Sequence, residues 1–199
     1  MKAMIKKKED ARIVRSKRDL ANSLEKLLEL KNYDDITIKE ICENALVSKL
    51  TFYNNFYDKN ELLKFLFARY VNEITSEIDL LFNYKKDNKV LYKDIIRTII
   101  HYFYKNKERF SKVIQNDRSH TMFWNINLFI NDITPLLTSI YDKLIHFNVP
   151  KEILSSYYVG AFANILYTTN EKDLNISEEK MTEYIYNLTL GLGIKIIND

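Results

Sequence analysis

Apolar residues recur along most of this chain at intervals of three and four, the spacing of one face of a helix. Leu20, Ala21, Leu24, Leu27 and Leu28 form the first such stripe and predict a helix over about residues 11 to 31 with that face toward a core. Asn32 supplies the stop, because Asn tolerates the left-handed conformation with which many helices end. Thr37-Ile38-Lys39-Glu40 reads as a capping box, in which the Thr side chain accepts the third backbone N–H and the Glu reaches back to the cap. Ile38, Ile41, Cys42 and Ala45 then mark one apolar face of a short helix. Leu46-Val47 interrupts the pattern, and Ser48 opens a second short helix, Lys49 to Asn55, with Phe52 and Phe56 pointing inward. Asp58-Lys59-Asn60-Glu61 repeats the capping box at the head of a long helix to about Asn83. Two short helices joined by a tight turn and packed on a longer one make a helix-turn-helix, whose second short helix is the major-groove reader.

Beyond a charged loop near Lys85–Lys89, the pattern predicts helices at about 90–105, 107–116, 120–147, 151–170 and 178–196. Pro135 should kink or split the third of these, Pro150 suits the first position of the next, and Ser177 is a cap for the last. The expectation is an all-α chain of about nine helices. Residues 1–57 form an N-terminal three-helix helix-turn-helix domain with a basic arm. A long helix joins it to a larger helical domain over 58–199, for which the resemblance described below implies ligand binding and dimerisation.

Composition narrows the class. Three Gly and two Pro in 199 residues are too few for the turns of an all-β protein, and the Ile, Leu and aromatic content excludes disorder. The one cysteine, Cys42, excludes a disulfide scaffold and sits on an apolar helix face, where it reads as a small buried hydrophobe. No run of 18 apolar residues exists, so no membrane span and a cytoplasmic location are expected. His101, His120 and His146 lie far apart without ligand partners at fixed offsets, and no Gly-rich phosphate loop is present. No metal, cofactor or enzyme activity is expected.

Charge is asymmetric. Residues 1–18 carry eight basic and two acidic side chains, whereas residues 61–199 carry 17 of each. Such a basic end favours a polyanion, either nucleic acid or an anionic membrane surface, over a neutral partner. A solvated basic tail is the plain alternative.

The stretch Thr37-Ile38-Lys39-Glu40-Ile41, then Ala45-Leu46-Val47-Ser48, then Thr51-Phe52-Tyr53-Asn54-Asn55-Phe56, then Lys59-Asn60-Glu61-Leu62-Leu63 resembles the DNA-binding domain of TetR/AcrR-type regulators. The resemblance covers residues 15–63, about a quarter of the chain. The segment from Tyr157 to Leu188 faintly resembles the C-terminal type common among Gram-positive members. The family usually has Gly where Asn32 and Leu46 stand, and Gly or a polar residue where Leu50 stands. At Leu46 this implies a side chain in a turn that favours Gly.

On this resemblance, Ser48 places N–H groups at a helix start where a phosphate is held, and Lys49 reaches a phosphate or a guanine. Thr51 and Asn54 are placed for base edges, and Leu50 for a thymine methyl or for packing on the first helix. Tyr53 and Lys59 are expected on the DNA backbone, as is Thr37 at its own helix start. Arg15, Lys17 and Arg18 are expected to reach phosphates or the minor groove. Asn55 is expected to be a surface or capping residue.

In the second half, Phe103, Trp124, Tyr158 and Phe162 are candidates for lining a cavity for a small apolar or aromatic effector, or simply for a core. The resemblance implies that the last two long helices pair with those of a second copy. Ile153, Tyr157, Gly160, Ala161, Met181, Tyr184, Ile185, Leu188 and Leu192 are the expected dimer contacts. The reading is a homodimeric transcriptional regulator, a repressor released from palindromic double-stranded DNA by its effector. Two alternatives stay open: an effector-independent or activating DNA-binding protein, and a helical interaction module whose helix-turn-helix no longer binds DNA.

Overall fold

The computed structural model of the chain describes residues 11–84, 87–117, 120–121, 145–146, 150–172, 174–191 and 195–196. The described residues are all-α, with one two-residue β-ladder as the exception. The helices are α1 (Ala11–Leu28), α2 (Ile38–Asn44), α3 (Lys49–Asn55), α4 (Lys59–Leu81), α5 (Asn88–Lys105), α6 (Lys107–Asn116), α7 (Lys151–Glu171) and α8 (Glu178–Gly191), with a 3-10 turn at Tyr33–Asp35.

Two cores organise them. The first joins α1 to α4 through Leu20, Leu24, Tyr33, Ile36, Ile41, Phe52, Phe56, Leu62 and Leu66, with Cys42 buried among them. The second joins α4, α5 and α8 through Ile78, Tyr92, Ile95, Ile100, Met181 and Ile185. Helix α4 feeds both, its first two turns entering one core and Ile78 the other. A 23-residue helix is long enough, at about 1.5 Å per residue, to carry two separate packing faces.

Local sequence explains most helix ends, with some departures from expectation. Helix α1 stops at Leu28, and Asn32 is not left-handed. Its backbone is extended at φ −58, ψ 142, and its side chain accepts from the Asp34 N–H to cap the 3-10 turn. At the head of α4, Asp58 accepts from the Glu61 N–H at 2.8 Å as expected. The return bond is displaced by one residue, since the Glu61 carboxylate takes the Tyr57 N–H. Helix α5 begins at Asn88, where Asp87 accepts from the Lys89 N–H at 2.8 Å. Ser177 caps α8, its hydroxyl accepting from the Lys180 N–H.

The expected helices 120–147 and 178–196 do not run to those limits. Ile145 and His146 pair antiparallel with Ile196 and Lys195, and α8 ends at Gly191, a residue that pays the largest backbone entropy of the non-proline residues in a helix. Pro135 lies outside the described residues. Among the described residues no helix is long and apolar enough to cross a membrane.

Candidate nucleic-acid interface

The helix-turn-helix is held from three sides. The Ser23 hydroxyl on α1 donates to the Ile41 carbonyl at 2.8 Å, a buried bond fixing α2 against α1. The Thr37 capping box forms as expected, with the Glu40 N–H donating to the Thr37 hydroxyl and the Glu40 carboxylate accepting from the Thr37 N–H. Glu40 also receives Lys31 Nζ at 2.5 Å. The Lys31 ammonium, aided by the Thr37 N–H and hydroxyl, lowers the Glu40 carboxyl from an ordinary 4.5 to about 2.

The turn between α2 and α3 is a Schellman motif. The Val47 N–H donates to the Cys42 carbonyl and the Leu46 N–H to the Glu43 carbonyl, which satisfies two carbonyls at the end of α2. That geometry puts Leu46 in the left-handed region at φ 55. Glycine is the usual occupant there, and the Leu46 side chain is 93% exposed.

Helix α3 buries Phe52 and Phe56 and turns Lys49, Leu50, Tyr53 and Asn54 outward. Ser48 caps it, accepting from the Thr51 N–H at 3.0 Å. The Ser48 and Thr51 hydroxyls lie 2.9 Å apart and share a hydrogen bond. The Asn55 amide folds back to donate to the Thr51 carbonyl, so Asn55 has the capping role expected of it.

Lys59 differs most from expectation in its surroundings. Its ammonium is half-buried, donates to the Tyr33 carbonyl at 2.6 Å and the Ile36 carbonyl at 2.8 Å, and lies over the Tyr33 ring. Burial lowers its pKa. Lys59 therefore ties the 3-10 turn to α4. On α1, Arg15 and Arg18 are exposed and both pair with Asp19. Lys17 is partly exposed, and residues 1–10 of the basic arm lie outside the described residues.

In the second half, the Phe103 and Phe162 rings meet edge to face at 5.6 Å, and Phe103 also stacks on Phe110 at 5.1 Å. Trp124 and the Tyr158 side chain lie outside what the structure describes. A groove of about 440 Å³ runs beside α4, lined by Phe65, Ala68, Arg69, Asn72, Glu73 and Ser76, and neither Phe103 nor Phe162 lines it. Among the described residues no three His, Cys, Asp or Glu side chains group to hold a metal ion.

The expected dimer residues divide in two. Ile153 and Tyr157 on α7, and Tyr184 and Leu188 on α8, are more than half exposed. Gly160 and Ala161 are partly exposed, and a Cβ at Gly160 would meet nothing within 4 Å. Met181 and Ile185 are instead buried in the chain's own core, because α8 packs that face on α5. Leu192 lies outside the described residues.

Sequence reasoning missed a polar junction that links α1, α4 and α6. Glu25 on α1 accepts from Arg69 at 2.8 Å, from the Tyr70 hydroxyl at 2.5 Å and from Arg109 at 2.5 Å. Arg69 also donates to Asn22, and Asn116 at the end of α6 donates to the Leu28 carbonyl. Burial and the Glu25 contact push the Tyr70 hydroxyl pKa up. The partners are 44 to 84 residues apart along the chain. No local spacing could have found them, although Glu25 beside Leu24 on the inward stripe was a faint signal.

The described residues form an all-α fold with a capped, aromatic-cored helix-turn-helix whose second helix presents a polar and apolar outer face. Residues 20–66 match the family model of bacterial regulatory proteins, tetR family. It is 28% identical over 86 residues to the HTH-type dhaKLM operon transcriptional activator DhaS of Lactococcus lactis. That alignment takes in 38% of this chain and 46% of the relative, so it spans less than half of the relative's length. Among solved structures, Lin0861 from Listeria innocua superposes with a TM-score of 0.69 at 18% identity over 92% of this chain and 93% of that one. The fatty acid degradation regulator FadR from Bacillus halodurans gives 0.65 at 15% identity over 89% and 95%. At such identities the structures establish a shared fold.

Proposed function

We propose that this chain is a sequence-specific DNA-binding transcriptional regulator acting as a homodimer, and that it is a repressor released from a palindromic operator by a small molecule. The observation that carries the reading is the outer face of α3, where Lys49, Leu50, Tyr53 and Asn54 stand exposed on a helix anchored from behind by Phe52 and Phe56. In this reading Lys49 and Tyr53 meet phosphates, Asn54 a base edge, and Arg15, Lys17 and Arg18 the flanking backbone. Ser48, Thr51 and Thr37 act through the shape they give the two short helices. The exposed apolar side chains of α7 and α8 support a two-fold pairing, which suits a palindrome. Activation is the second reading, favoured by the Lactococcus relative, whose name is that of an operon activator.

The test is a titration of labelled duplex from upstream of the gene against a scrambled duplex, at several salt concentrations. The proposal expects selective binding that weakens steeply with salt, and a salt slope smaller by about one unit in Lys49→Ala. Equal affinity for every duplex, including those from a genome-wide selection, overturns it. Transcription from the bound promoter, measured with and without the protein, separates repressor from activator.

A further inference from the structure

We infer that a charge ladder between α1 and α6 fixes the angle of the helix-turn-helix against the rest of the chain, and that Glu25, Glu29, Arg109 and Lys112 are thereby positioning residues for the spacing of DNA half-sites. This rests on the dimeric DNA-binding reading above and adds to it what holds each reading head in place.

The helix-turn-helix meets the helical half along α4 and along α6. Helix α4 runs unbroken from the first core into the second. A long helix bends gently along its length, so α4 by itself leaves the head free to tilt. Helix α6 supplies an attachment off that axis. Glu25, Leu28 and Glu29 share one face of α1, and Arg109, Lys112 and Asn116 share one face of α6. These faces meet. Arg109 reaches Glu25 at 2.5 Å and Glu29 at 3.7 Å, and Lys112, shared with Glu108 on its own helix, reaches Glu29 at 3.8 Å. The Asn116 amide donates to the Leu28 carbonyl at 3.2 Å. Just past α6, the Thr121 hydroxyl donates to Asp34 in the 3-10 turn at 3.0 Å.

Helix α6 buries no side chain fully, and its Val113 packs only partly buried against the first core. Apolar contact is non-directional, so by itself it lets a helix slide. Charge-assisted bonds need particular donors and acceptors at short distance, so they fix a register and an angle. On its other side α6 is tied to α7. The Ser111 hydroxyl donates to the Asn170 side chain at 2.5 Å, and the Tyr167 hydroxyl lies 2.8 Å from His120 Nδ1 just past α6. Helix α7 carries the exposed Ile153 and Tyr157 of the proposed pairing surface. A chain of contacts thus runs from that surface through α7 and α6 to α1, and sets the head relative to the two-fold axis. Two half-sites are engaged together only when both heads stand at the matching distance and rotation.

Sites are first selected from a random duplex library with the full-length protein. Duplexes are then made from the selected palindrome with one base pair added or removed at its centre, which moves the half-sites by about 3.4 Å and about a tenth of a turn. Affinities are measured for the wild type, for Arg109→Met with Lys112→Met, and for Glu29→Gln. The expected loss on respacing is at least about tenfold in the wild type, about threefold or less in the double variant, and between the two in Glu29→Gln. A base substitution within one half-site is expected to cost all three proteins the same factor, because the outer face of α3 is unchanged. Loss of stability alone weakens every duplex by one factor and leaves these ratios as they were. A wild type indifferent to spacing, or a respacing loss as large in the double variant as in the wild type, overturns the inference and leaves the DNA-binding reading standing. If the double variant loses its helical circular dichroism, Glu29→Gln decides alone, and an unchanged respacing loss there overturns the inference. A library that yields no enriched palindrome overturns the dimeric DNA-binding reading and the inference with it.

Discussion

Leu46 shows how one residue can be fully exposed and still costly. The Schellman turn that ends α2 needs a left-handed residue at this point, and Leu46 occupies it at φ 55. A side chain there costs roughly 1–2 kcal/mol of steric strain. Glycine removes that strain but loses about 0.5–1 kcal/mol through its freer unfolded chain. Because Leu46 is 93% exposed, its replacement forfeits no packing. Leu46→Gly is therefore expected to stabilise the protein by about 1 kcal/mol, read as a rise in the urea midpoint at unchanged slope. A lower midpoint would mean that the Leu side chain makes a contact in solution. Lys59 makes a different point at the same scale. Its ammonium bonds two carbonyls of the loop before α2, so its substitution perturbs the position of the whole helix-turn-helix, and a loss of DNA binding in such a variant would not by itself place Lys59 on a phosphate.

At the scale of the elements, the cap of α2 makes its stability depend on pH. The Glu40 carboxylate is held at about 2 by Lys31 and Thr37, below its ordinary 4.5. A depressed carboxylate pKa stabilises the fold above the unfolded pKa and loses that contribution as pH falls through the folded one. The contribution is therefore complete above about 4.5 and lost progressively down to about 2. Carbon-detected NMR titration should find the Glu40 carboxyl among the last to protonate in the folded protein. Glu40→Gln should flatten the fall of melting temperature over that interval. A Glu40 midpoint near 4.5 would show that the Lys31 bond does not persist in solution. Helices α7 and α8 depend on packing instead. On α8, Met181 and Ile185 face inward while Tyr184 and Leu188 face outward, so one helix serves two surfaces.

At the scale of the whole molecule, Glu25 joins α1 to α4 and to α6. Its carboxylate, with the side chain 14% exposed, meets Arg69 on α4 and Arg109 on α6. Removing the anion leaves two partly buried guanidinium groups without it, and such uncompensated charge is what makes broken internal ion pairs costly. Because both arginines keep some access to water, Glu25→Gln is expected to cost about 2 kcal/mol, below the range for fully buried pairs, measured by urea denaturation. A cost under about 0.5 kcal/mol would place the junction with ordinary surface ion pairs. The exposed stripe of Ile153, Tyr157, Tyr184 and Leu188 makes a second prediction. Wild-type protein should sediment at twice the 23.8 kDa chain mass, and Tyr157→Glu with Leu188→Glu should halve it without loss of helicity. Two-chain mass retained in the double variant would move the pairing surface elsewhere.

What the sequence determined by itself is local. Helix existence follows from apolar periodicity, and the Thr37, Ser48, Asp58 and Ser177 caps follow from side chains three residues from their targets. The helix-turn-helix was legible because its signals lie within one stretch of chain. That Leu46 stands in a turn that favours glycine came from the family resemblance, and its backbone there is left-handed at φ 55. Only the tertiary structure decided which apolar face of α8 is core, that Lys59 turns onto Tyr33 and Ile36, and that Glu25 gathers Arg69, Tyr70 and Arg109. In each case the partners lie on different elements. Periodicity says that a helix has an apolar face, whereas the neighbour it meets depends on how all the helices pack at once.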